Sequence, residues 1–488
     1  MHENPHHERR WWILAALVVA QMMIVLDGTV VNIALPSAQK SLGFSDDDRQ
    51  WIITAYSLAF GSLLLLGGKL SDILGRRRTL IIGLIGFAAA SAIGGAAQSF
   101  LMLAVSRAAQ GVFAALLAPS VLALMTTTFT EPKERNKAFG IYGGVLASGA
   151  SVGLLLGGAL TEWLDWRAVM YVNIPIAILA VFGAYRLLVN QRPDERPRID
   201  GLGAATVTAG LFSLVYGLSH AETSSWSDPV TVGLLIAGVV LLGLFLFIES
   251  RVDHPLLPLR VLKDRNRGAA YLTMAIAAVA MFGTFLFLTY HLQGIMGYSP
   301  VKTGAAFLPM TLVLMATAII ASTKLRPIFG PRPLMVAGMS LGAIGMVLLT
   351  QLHVDSSYLT HIVPTLVLEG LGLGLIFSTA SNNATLGLLR SDAGVGSATT
   401  NASQQIGGSI GTALLSTLAA TATADYLVGS QPTNEAVRVA TVHGFTTAFM
   451  WSAIIFAVGA VVALVGFTGG ASTTQTASEP TGEPVVVH

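Results

Sequence analysis

The chain has 488 residues, of which 53% are hydrophobic and 11% are charged, whereas a soluble domain carries about 25% charged residues. Its mean hydropathy is +0.68. The 28 Lys and Arg residues against 26 Asp and Glu leave a net charge of +2, so no basic field is available to hold nucleic acid. Cysteine is absent, which excludes disulfides, Cys-ligated zinc and iron–sulfur clusters. These values indicate a polytopic membrane protein.

Apolar runs long enough to cross the ~30 Å hydrocarbon core of a bilayer recur along the whole chain. Two of them, 201–219 and 396–419, are rich in Gly, Ala, Ser and Thr, which favours close packing against other membrane helices. Together the runs predict an all-α membrane protein with fourteen transmembrane helices, at 11–35, 50–68, 79–97, 101–124, 138–160, 168–188, 201–219, 230–249, 269–291, 303–322, 334–351, 359–382, 396–419 and 444–467.

Most of the basic residues lie in alternate loops, starting with Arg9 and Arg10 before the first span. The excess of Lys and Arg on the cytoplasmic side of membrane proteins therefore predicts that both termini are cytoplasmic. The loops are short, and no segment is large enough for a soluble catalytic domain. The polar tail after about residue 468 has the composition of a disordered segment.

Two loops of the chain resemble each other. GKLSDILGRRRTL (68–80) and STKLRPIFGPRPL (322–334) share the pattern of Leu, four residues, Gly, one residue and Arg. The match predicts two related six-helix halves, the architecture of a rocking transporter. The predicted organisation is a cytoplasmic N-terminus, an N-terminal six-helix bundle, two inserted helices, a C-terminal six-helix bundle and a disordered cytoplasmic tail, at 1–10, 11–190, 200–250, 265–468 and 469–488.

Three charged residues lie inside predicted spans, where each costs about 2.5–3.5 kcal/mol on the insertion scale and is a functional candidate. Asp27 is near the middle of the first span, where it can bind a proton, pair with a cationic substrate or serve as a structural carboxylate. Arg107 cannot lose its proton and needs a carboxylate, carbonyls or water. Glu369 precedes a Gly-rich stretch and is either a second proton or cation site or a side chain that reaches outer water.

Several polar side chains within the spans are candidates for lining a cavity, although each is also an ordinary partner for a hydrogen bond between helices. The histidines lie mostly in termini, loops and span ends, and no pair has zinc-ligand spacing on one helix. The cavity candidates are Asn32, Gln110, Gln293 and His291.

Several segments resemble the fourteen-helix drug:proton antiporters of the major facilitator superfamily, the EmrB/QacA-like branch. LDGTVVNIALP (26–36) resembles the first-helix motif of that branch, and GKLSDILGRRRTL resembles the loop motif of the superfamily. LAVSRAAQG (103–111), WRAVMYVNIP (166–175) and LQGIMGYSPVKTGAAFLP (292–309) resemble further motifs in the same order. The resemblance extends over about residues 10–467 and implies the superfamily fold and a location in a bacterial inner membrane.

The resemblance also implies roles for individual residues. In the family, the acid matching Asp27 takes part in proton coupling or substrate recognition, and the arginine matching Arg107 is tied to proton transfer. The loop motif, in which Asp72 and Arg76 hold the cytoplasmic gate, corresponds here to Gly68, Asp72, Gly75, Arg76 and Arg77.

The fifth-helix motif of the exporters departs from the family pattern. The segment 149–158 reads GASVGLLLGG, so Leu154 occupies the position of the motif proline. The small-residue face persists but the proline kink does not, which weakens the prediction of export. The motif glycines that remain are Gly149, Gly153, Gly157 and Gly158.

The resulting hypothesis is a proton-driven exporter of amphipathic, possibly cationic, small molecules that works by alternating access. We expect no enzymatic activity, no cofactor and no metal, a function as a monomer, and protons, lipid and a small molecule as partners. No nucleotide-binding G-x-x-x-x-G-K-[ST] stretch is present. Two alternatives stay open: a transporter for one physiological solute, such as a lipid precursor, siderophore or self-made antibiotic, and, more remotely, a non-transporting membrane sensor.

Overall fold

The computed structural model describes residues 9–189, 200–252, 255–386, 388, 393–428 and 433–468, and the predicted tail 469–488 lies outside them. Within this part of the chain, thirteen helices are long and apolar enough to cross a membrane. One further helix, Pro132–Trp163, has 32 residues, and its segment Val152–Trp163 is apolar. With it, the helices correspond one to one with the predicted spans.

We number these helices in chain order. They are α1 (Arg10–Leu42), α2 (Asp46–Leu74), α3 (Arg76–Gly95), α4 (Phe100–Thr128), α5 (Pro132–Trp163), α6 (Ala168–Leu187), α7 (Gly201–Thr223), α8 (Pro229–Glu249), α9 (Arg265–Ile295), α10 (Pro300–Phe329), α11 (Pro331–Leu349), α12 (Tyr358–Ala384), α13 (Ala393–Leu427) and α14 (Asn434–Gly466).

Short polar residues begin many of these helices by capping the free backbone N–H groups of the first turn. Ser45 forms a capping box with Asp48 at the start of α2. Asp228 accepts from two backbone N–H groups at the start of α8, where Pro229 follows it at the first helical position. Thr433 caps α14. Polar caps therefore determine where helices such as α2 and α14 begin, which is before the apolar segments predicted as their spans.

The two halves of the chain have the same pattern of helix packing. In the N-terminal half α1 packs against α4, α5 and α6, and α4 also packs against α2 and α3, while α3 contacts α6. Each pair recurs in the C-terminal half, where α9 to α14 take the places of α1 to α6. The two inserted helices, α7 and α8, pack against each other, and α7 contacts α2 and α13.

The two similar loops occupy equivalent junctions in these halves. Gly75 joins α2 to α3 with φ +92°, and Gly330 joins α10 to α11 with φ +73°. Residues with a Cβ rarely adopt these backbone angles, so glycine is needed at both corners. We call the end of the molecule that carries Gly75 the inner end and the opposite end the outer end.

The predicted small-residue faces do allow close helix packing. A Cβ at Gly407 or Gly411 of α13 would collide with the backbone of α9 at Ala275 or Val279. Likewise, a Cβ at Gly238 of α8 would lie 2.9 Å from the backbone of α7. The span with the least apolar sequence, α13, therefore packs against α9 through its own glycines, and α7 packs closely against a glycine of α8, as membrane helices favour.

Candidate functional site

Asp27 lies midway along α1 and is 1% exposed. Nη1 of Arg107, on α4, donates to Oδ2 of Asp27 at 2.5 Å. Nε2 of Gln110, one turn further along α4, and Nδ2 of Asn173, in α6, each donate to Oδ1 at 2.8 Å. A carboxylate buried away from water needs both an opposite charge and hydrogen-bond donors, and this one has both.

Arg107, 2% exposed, also has neutral partners. Its Nη1 donates to Oε1 of Gln110 at 2.8 Å and its Nε to the carbonyl oxygen of Ile52 at 3.3 Å. The guanidinium lies over the ring of Tyr56, 4.5 Å from the ring centroid, where a cation is attracted to the aromatic face. None of these three contacts involves the carboxyl of Asp27, so the guanidinium has neutral partners besides its counter-charge.

The network connects five of the six helices of the N-terminal half. Nε2 of Gln110 also lies 2.7 Å from Oγ of Ser91 on α3. Asp27, Tyr56, Ser91, Arg107 and Asn173 thus come from α1, α2, α3, α4 and α6 respectively. The network of Asp27 therefore joins side chains from most helices of this half.

The sixth helix, α5, packs against α1 beside this network through the motif glycines. A Cβ at Gly149 would lie 2.6 Å from Val25, and one at Gly157 would lie 2.9 Å from the carbonyl oxygen of Val30. Gly153 faces Thr29 in the same row. The small-residue face places the backbone of α5 directly on the segment of α1 that carries Asp27.

The outer parts of α5 and α10 form a close contact between the two halves. A Cβ at Gly158 would lie 2.7 Å from the carbonyl oxygen of Pro300, and one at Gly304 would lie 2.7 Å from that of Leu154. Oε2 of Glu162 accepts from the backbone N–H of Val301 at 3.2 Å. Leu154, the residue in place of the motif proline, is 1% exposed and belongs to the apolar core of the C-terminal half.

The predicted gate residues lie at the inner end of α2 and α3. Nη1 of Arg76 donates to the carbonyl oxygen of Ala123 at 3.4 Å, and Nη2 of Arg77 donates to that of Tyr185 at 2.8 Å. Gly68 packs against Pro119, 3.6 Å from where its Cβ would be. The side chain of Asp72 lies outside the described part of the structure, so its gate role stays a prediction.

Glu369 lies in the interior of the C-terminal half and is 1% exposed, so the alternative in which it reaches outer water is wrong for this conformation. Oγ1 of Thr284 donates to its Oε1 at 3.0 Å, and its Oε2 has no hydrogen-bond partner among the described residues. His291 is fully buried in a π-helical turn at the outer end of α9, and neither ring nitrogen has a partner within the described chain.

The cavity candidates lie on three different helices, α1, α4 and α9, of the described structure. Gln110 belongs to the Asp27 network, while Oδ1 of Asn32 and Nε2 of Gln293 are buried without a partner in the described structure. A small cleft opens elsewhere, at the junction of the two halves with the inserted helix α7. Its lining comes from α2, α7, α9 and α13, with Thr54, Ser57, Val215, Phe282, Gln405 and Ser409 among the lining residues.

The structure brings Asp27, Arg107 and Gln110 together and places Glu369 in the other half. Sequence reasoning missed Asn173, Ser91 and Tyr56, all of which are buried in the network. Ser91 lies in an Ala-rich helix and Tyr56 in an apolar one, and neither residue type at such a position indicates a functional site from the sequence. Asn173 lies in the segment WRAVMYVNIP. The one sequence feature that could have pointed to it is an amide side chain near the start of an apolar span.

Two six-helix halves with matching packing, a buried ion pair at the centre of one half and a close contact between the halves at one end define a membrane transporter. The family comparison agrees, because the model described as Major Facilitator Superfamily matches residues 17–412. The chain belongs to this family.

Named relatives of the chain are antibiotic resistance and export proteins. It is 48% identical over 459 residues to the puromycin resistance protein pur8 of Streptomyces alboniger, covering 94% of this chain and 91% of the relative. It is 37% identical to the cephamycin export protein CmcT of Amycolatopsis lactamdurans, covering 83% and 84%. The tetracenomycin C resistance and export protein of Streptomyces glaucescens is 35% identical, with 86% and 77% covered. The chain is thus an efflux transporter, and the predicted export function is confirmed despite Leu154.

Solved structures confirm the fold. A bacterial homologue of the human lysosomal transporter Spinster, in an inward-facing conformation, superposes with a TM-score of 0.64 at 15% identity, covering 96% of this chain and 97% of that one. The human organic anion transporter MFSD10 gives a TM-score of 0.63 at 15% identity, covering 93% and 99%.

Proposed function

We propose that this transporter exports an amphipathic aminonucleoside of the puromycin type in exchange for protons. The substrate class is taken from the resistance protein that is 48% identical over nearly the whole of both chains. The buried Asp27–Arg107 pair carries the coupling part of the proposal. The driving force is the proton gradient, with neither nucleotide nor other cofactor, and the monomer is the functional unit.

In this proposal a proton competes with Arg107 for Asp27. When a proton reaches Oδ2, the ion pair is lost and Arg107 keeps its contacts with Gln110, Ile52 and Tyr56. The link between α1 and α4 is then weaker, which changes the relative free energies of the inward-open and outward-open states. A transporter requires no more than such a ligand-dependent shift between two states.

The contact between α5 and α10 then serves as the outer gate, which must open to release the substrate. Because the chain contains no cysteine, Glu162→Cys and Val301→Cys provide one reactive pair at this contact. A cross-link between them should stop transport reversibly, and substrate and pH should change its rate of formation. A cross-linked protein that transports at the wild-type rate would refute this gate.

The inner end of the molecule faces the cytoplasm in this proposal, with both termini on that side. Arg76, Arg77 and Arg78 at the α2–α3 corner support this orientation through the positive-inside rule. Labelling of single-cysteine variants with an impermeant reagent in intact cells tests it. The reagent should fail to label Arg78→Cys and should label Lys302→Cys at the outer end. The reverse pattern would show that the inner end faces the outside of the cell.

Transport itself is tested with the purified chain in proteoliposomes that have an acidic lumen. Radiolabelled puromycin added outside should accumulate in the lumen, and an ionophore that collapses the proton gradient should abolish the accumulation. Exchange of labelled for unlabelled puromycin in the absence of a proton gradient measures binding and movement of the substrate without proton coupling. Absence of both signals would exclude puromycin as a substrate.

A broader multidrug function is the second candidate, because the multidrug resistance protein Stp of Mycobacterium tuberculosis is 31% identical with 82% of this chain covered. Transport measured in the same vesicles with ethidium in place of puromycin distinguishes multidrug export from export of a narrow range of substrates. Proton-driven accumulation of ethidium at a comparable rate would favour multidrug export, whereas puromycin accumulation alone would favour a narrow substrate range.

A further inference from the structure

Glu369 occupies the place in the C-terminal half that the Asp27 network occupies in the N-terminal half. Asp27, Ser91 and Gln110 meet where α1, α3 and α4 come together. Thr284, Met346 and Glu369 meet where α9, α11 and α12 come together. Because α9, α11 and α12 take the places of α1, α3 and α4 in the repeat, the two clusters are at equivalent helix junctions.

The depths of the two clusters agree as well. Asp27 is 17 residues from the first residue of α1, and Thr284 is 19 residues from the first residue of α9. At 1.5 Å per residue both lie about 25–29 Å from the inner ends of their helices. Each half therefore holds one carboxyl at a similar level in the membrane.

The two carboxyls differ in their partners. Asp27 has a guanidinium and two amides, whereas Glu369 has the hydroxyl of Thr284. That hydroxyl is also 3.8 Å from Sδ of Met346. A Cβ at Gly345 would be 3.2 Å from Cγ of Glu369, so the glycine makes room for the side chain. Oε2 has no partner in the described structure.

Among the described residues, Glu369 makes no ion pair, and the hydroxyl of Thr284 is its hydrogen-bond partner. Along α9, the titratable residues nearest to Thr284 are Tyr290 and His291, six and seven residues further on, or about 9–10.5 Å along the helix axis. The titratable residues on α12 and on these helices are Tyr358 and His361 of α12, Arg265, Arg267, Tyr271, Tyr290 and His291 of α9, Lys302, Lys324 and Arg326 of α10, Arg332 of α11, and Asp425 and Tyr426 of α13.

Burial of an ionised carboxylate without a counter-charge costs several kcal/mol, far more than burial of a neutral acid. Glu369 therefore needs either a proton or a cationic partner that enters with another conformation. We propose that Glu369 is a second proton-binding site, independent of the Asp27–Arg107 pair, which takes a proton on Oε2 from outer water and releases it to inner water during each transport cycle. The transport part of this inference rests on the proposed proton-coupled export.

Protonation is tested first, because its outcome is independent of transport. The infrared spectrum of the purified protein at pH 7 should contain the C=O band of a protonated carboxylic acid that disappears in Glu369→Gln and persists in Asp27→Asn. Thr284→Val, which keeps the side-chain shape but removes the hydroxyl, should shift the frequency of that band. A Glu369→Gln spectrum identical to that of wild type, in protein of equal thermal stability, would overturn the proposal.

The transport cycle is tested with proteoliposomes that contain puromycin. Glu369→Gln should keep puromycin exchange but move one proton fewer per puromycin than wild type, and Glu369→Asp should restore part of the difference. Glu249→Gln is the matched control, because Glu249 is also buried, at 4% exposure, but lies at the inner end of α8. Its proton:puromycin ratio should equal that of wild type.

An unchanged ratio in Glu369→Gln would refute the transport role, whatever the infrared result. If wild type fails to move puromycin at all, the proposed function fails, whereas the infrared comparison still decides whether Glu369 holds a proton. If wild type lacks the protonated band and a cationic substrate binds only when Glu369 is present, the site binds substrate cations, which would also contradict the proposal.

Discussion

Replacing Asp27 by Asn keeps the shape of the side chain but leaves Arg107 without its counter-charge. Oδ1 still accepts from Gln110 and Asn173, but the new amide NH2 faces the Nη1 donor of Arg107 in place of Oδ2. Removing one partner of a buried ion pair typically costs about 3–5 kcal/mol. We expect Asp27→Asn and Arg107→Gln each to lower the free energy of unfolding by an amount in this range.

The double variant Asp27→Asn/Arg107→Gln removes both charges together. Replacing a whole buried pair by neutral groups is often close to neutral in stability, so most of the loss should be recovered. Proton-driven accumulation of puromycin should nevertheless be below the wild-type level in all three variants, because none of them retains a titrating carboxyl paired with Arg107. In the double variant, the free energy of unfolding should therefore be largely restored, whereas proton coupling should not.

Thermal unfolding of wild type, the two single variants and the double variant in detergent gives the interaction energy of the pair by a double-mutant cycle. Accumulation of puromycin in proteoliposomes measures proton coupling. Additive stability losses in the double variant would show that the two side chains do not interact energetically. Accumulation of puromycin by Asp27→Asn to the wild-type level would refute the coupling role of Asp27.

Three further outcomes follow from individual contacts and are measured by thermal unfolding. Asn173→Ala removes a donor to the Asp27 carboxylate and should cost about 1.5–3 kcal/mol, whereas Asn32→Ala, whose Oδ1 has no partner in the described structure, should cost less than half of that. Gly304→Ala places a methyl group 2.7 Å from the α5 backbone and should cost about 1–3 kcal/mol, against no measurable loss for Gly294→Ala, where the added methyl group meets nothing within 4 Å. Gly75→Ala, at φ +92°, should cost about 1–3 kcal/mol through backbone strain. A loss in Asn32→Ala equal to that in Asn173→Ala, or in Gly294→Ala equal to that in Gly304→Ala, would contradict the first two arguments, and unchanged stability of Gly75→Ala would contradict the third.

The span count, the repeat and the charged residues of the site could be predicted from the sequence because the bilayer makes them conspicuous. An apolar run of about 20 residues has few alternatives to a membrane helix, and a charge such as Asp27 or Arg107 within one is rare. The pairing of these two side chains across 80 residues of chain depends on helix packing. The sequence shows both charges but not their contact.

Helix boundaries were less predictable, because capping and packing extend helices beyond their apolar cores. The last span was predicted to begin at 444, but α14 begins at Asn434, where Thr433 caps it. The first span was predicted to end at 35, but α1 continues through Pro36 to Leu42. A proline within a membrane helix is tolerated where neighbouring helices support the freed backbone groups.

The most direct test of proton-coupled export is the lumenal pH of proteoliposomes with an acidic interior when puromycin is added outside. Wild type should release lumenal protons in proportion to puromycin entry, and Asp27→Asn should release fewer protons per puromycin, because only the site proposed at Glu369 still binds a proton. Proton release by Asp27→Asn at the wild-type ratio would contradict the central role of the Asp27–Arg107 pair. Puromycin entry into wild-type vesicles without a change in lumenal pH would contradict proton coupling altogether.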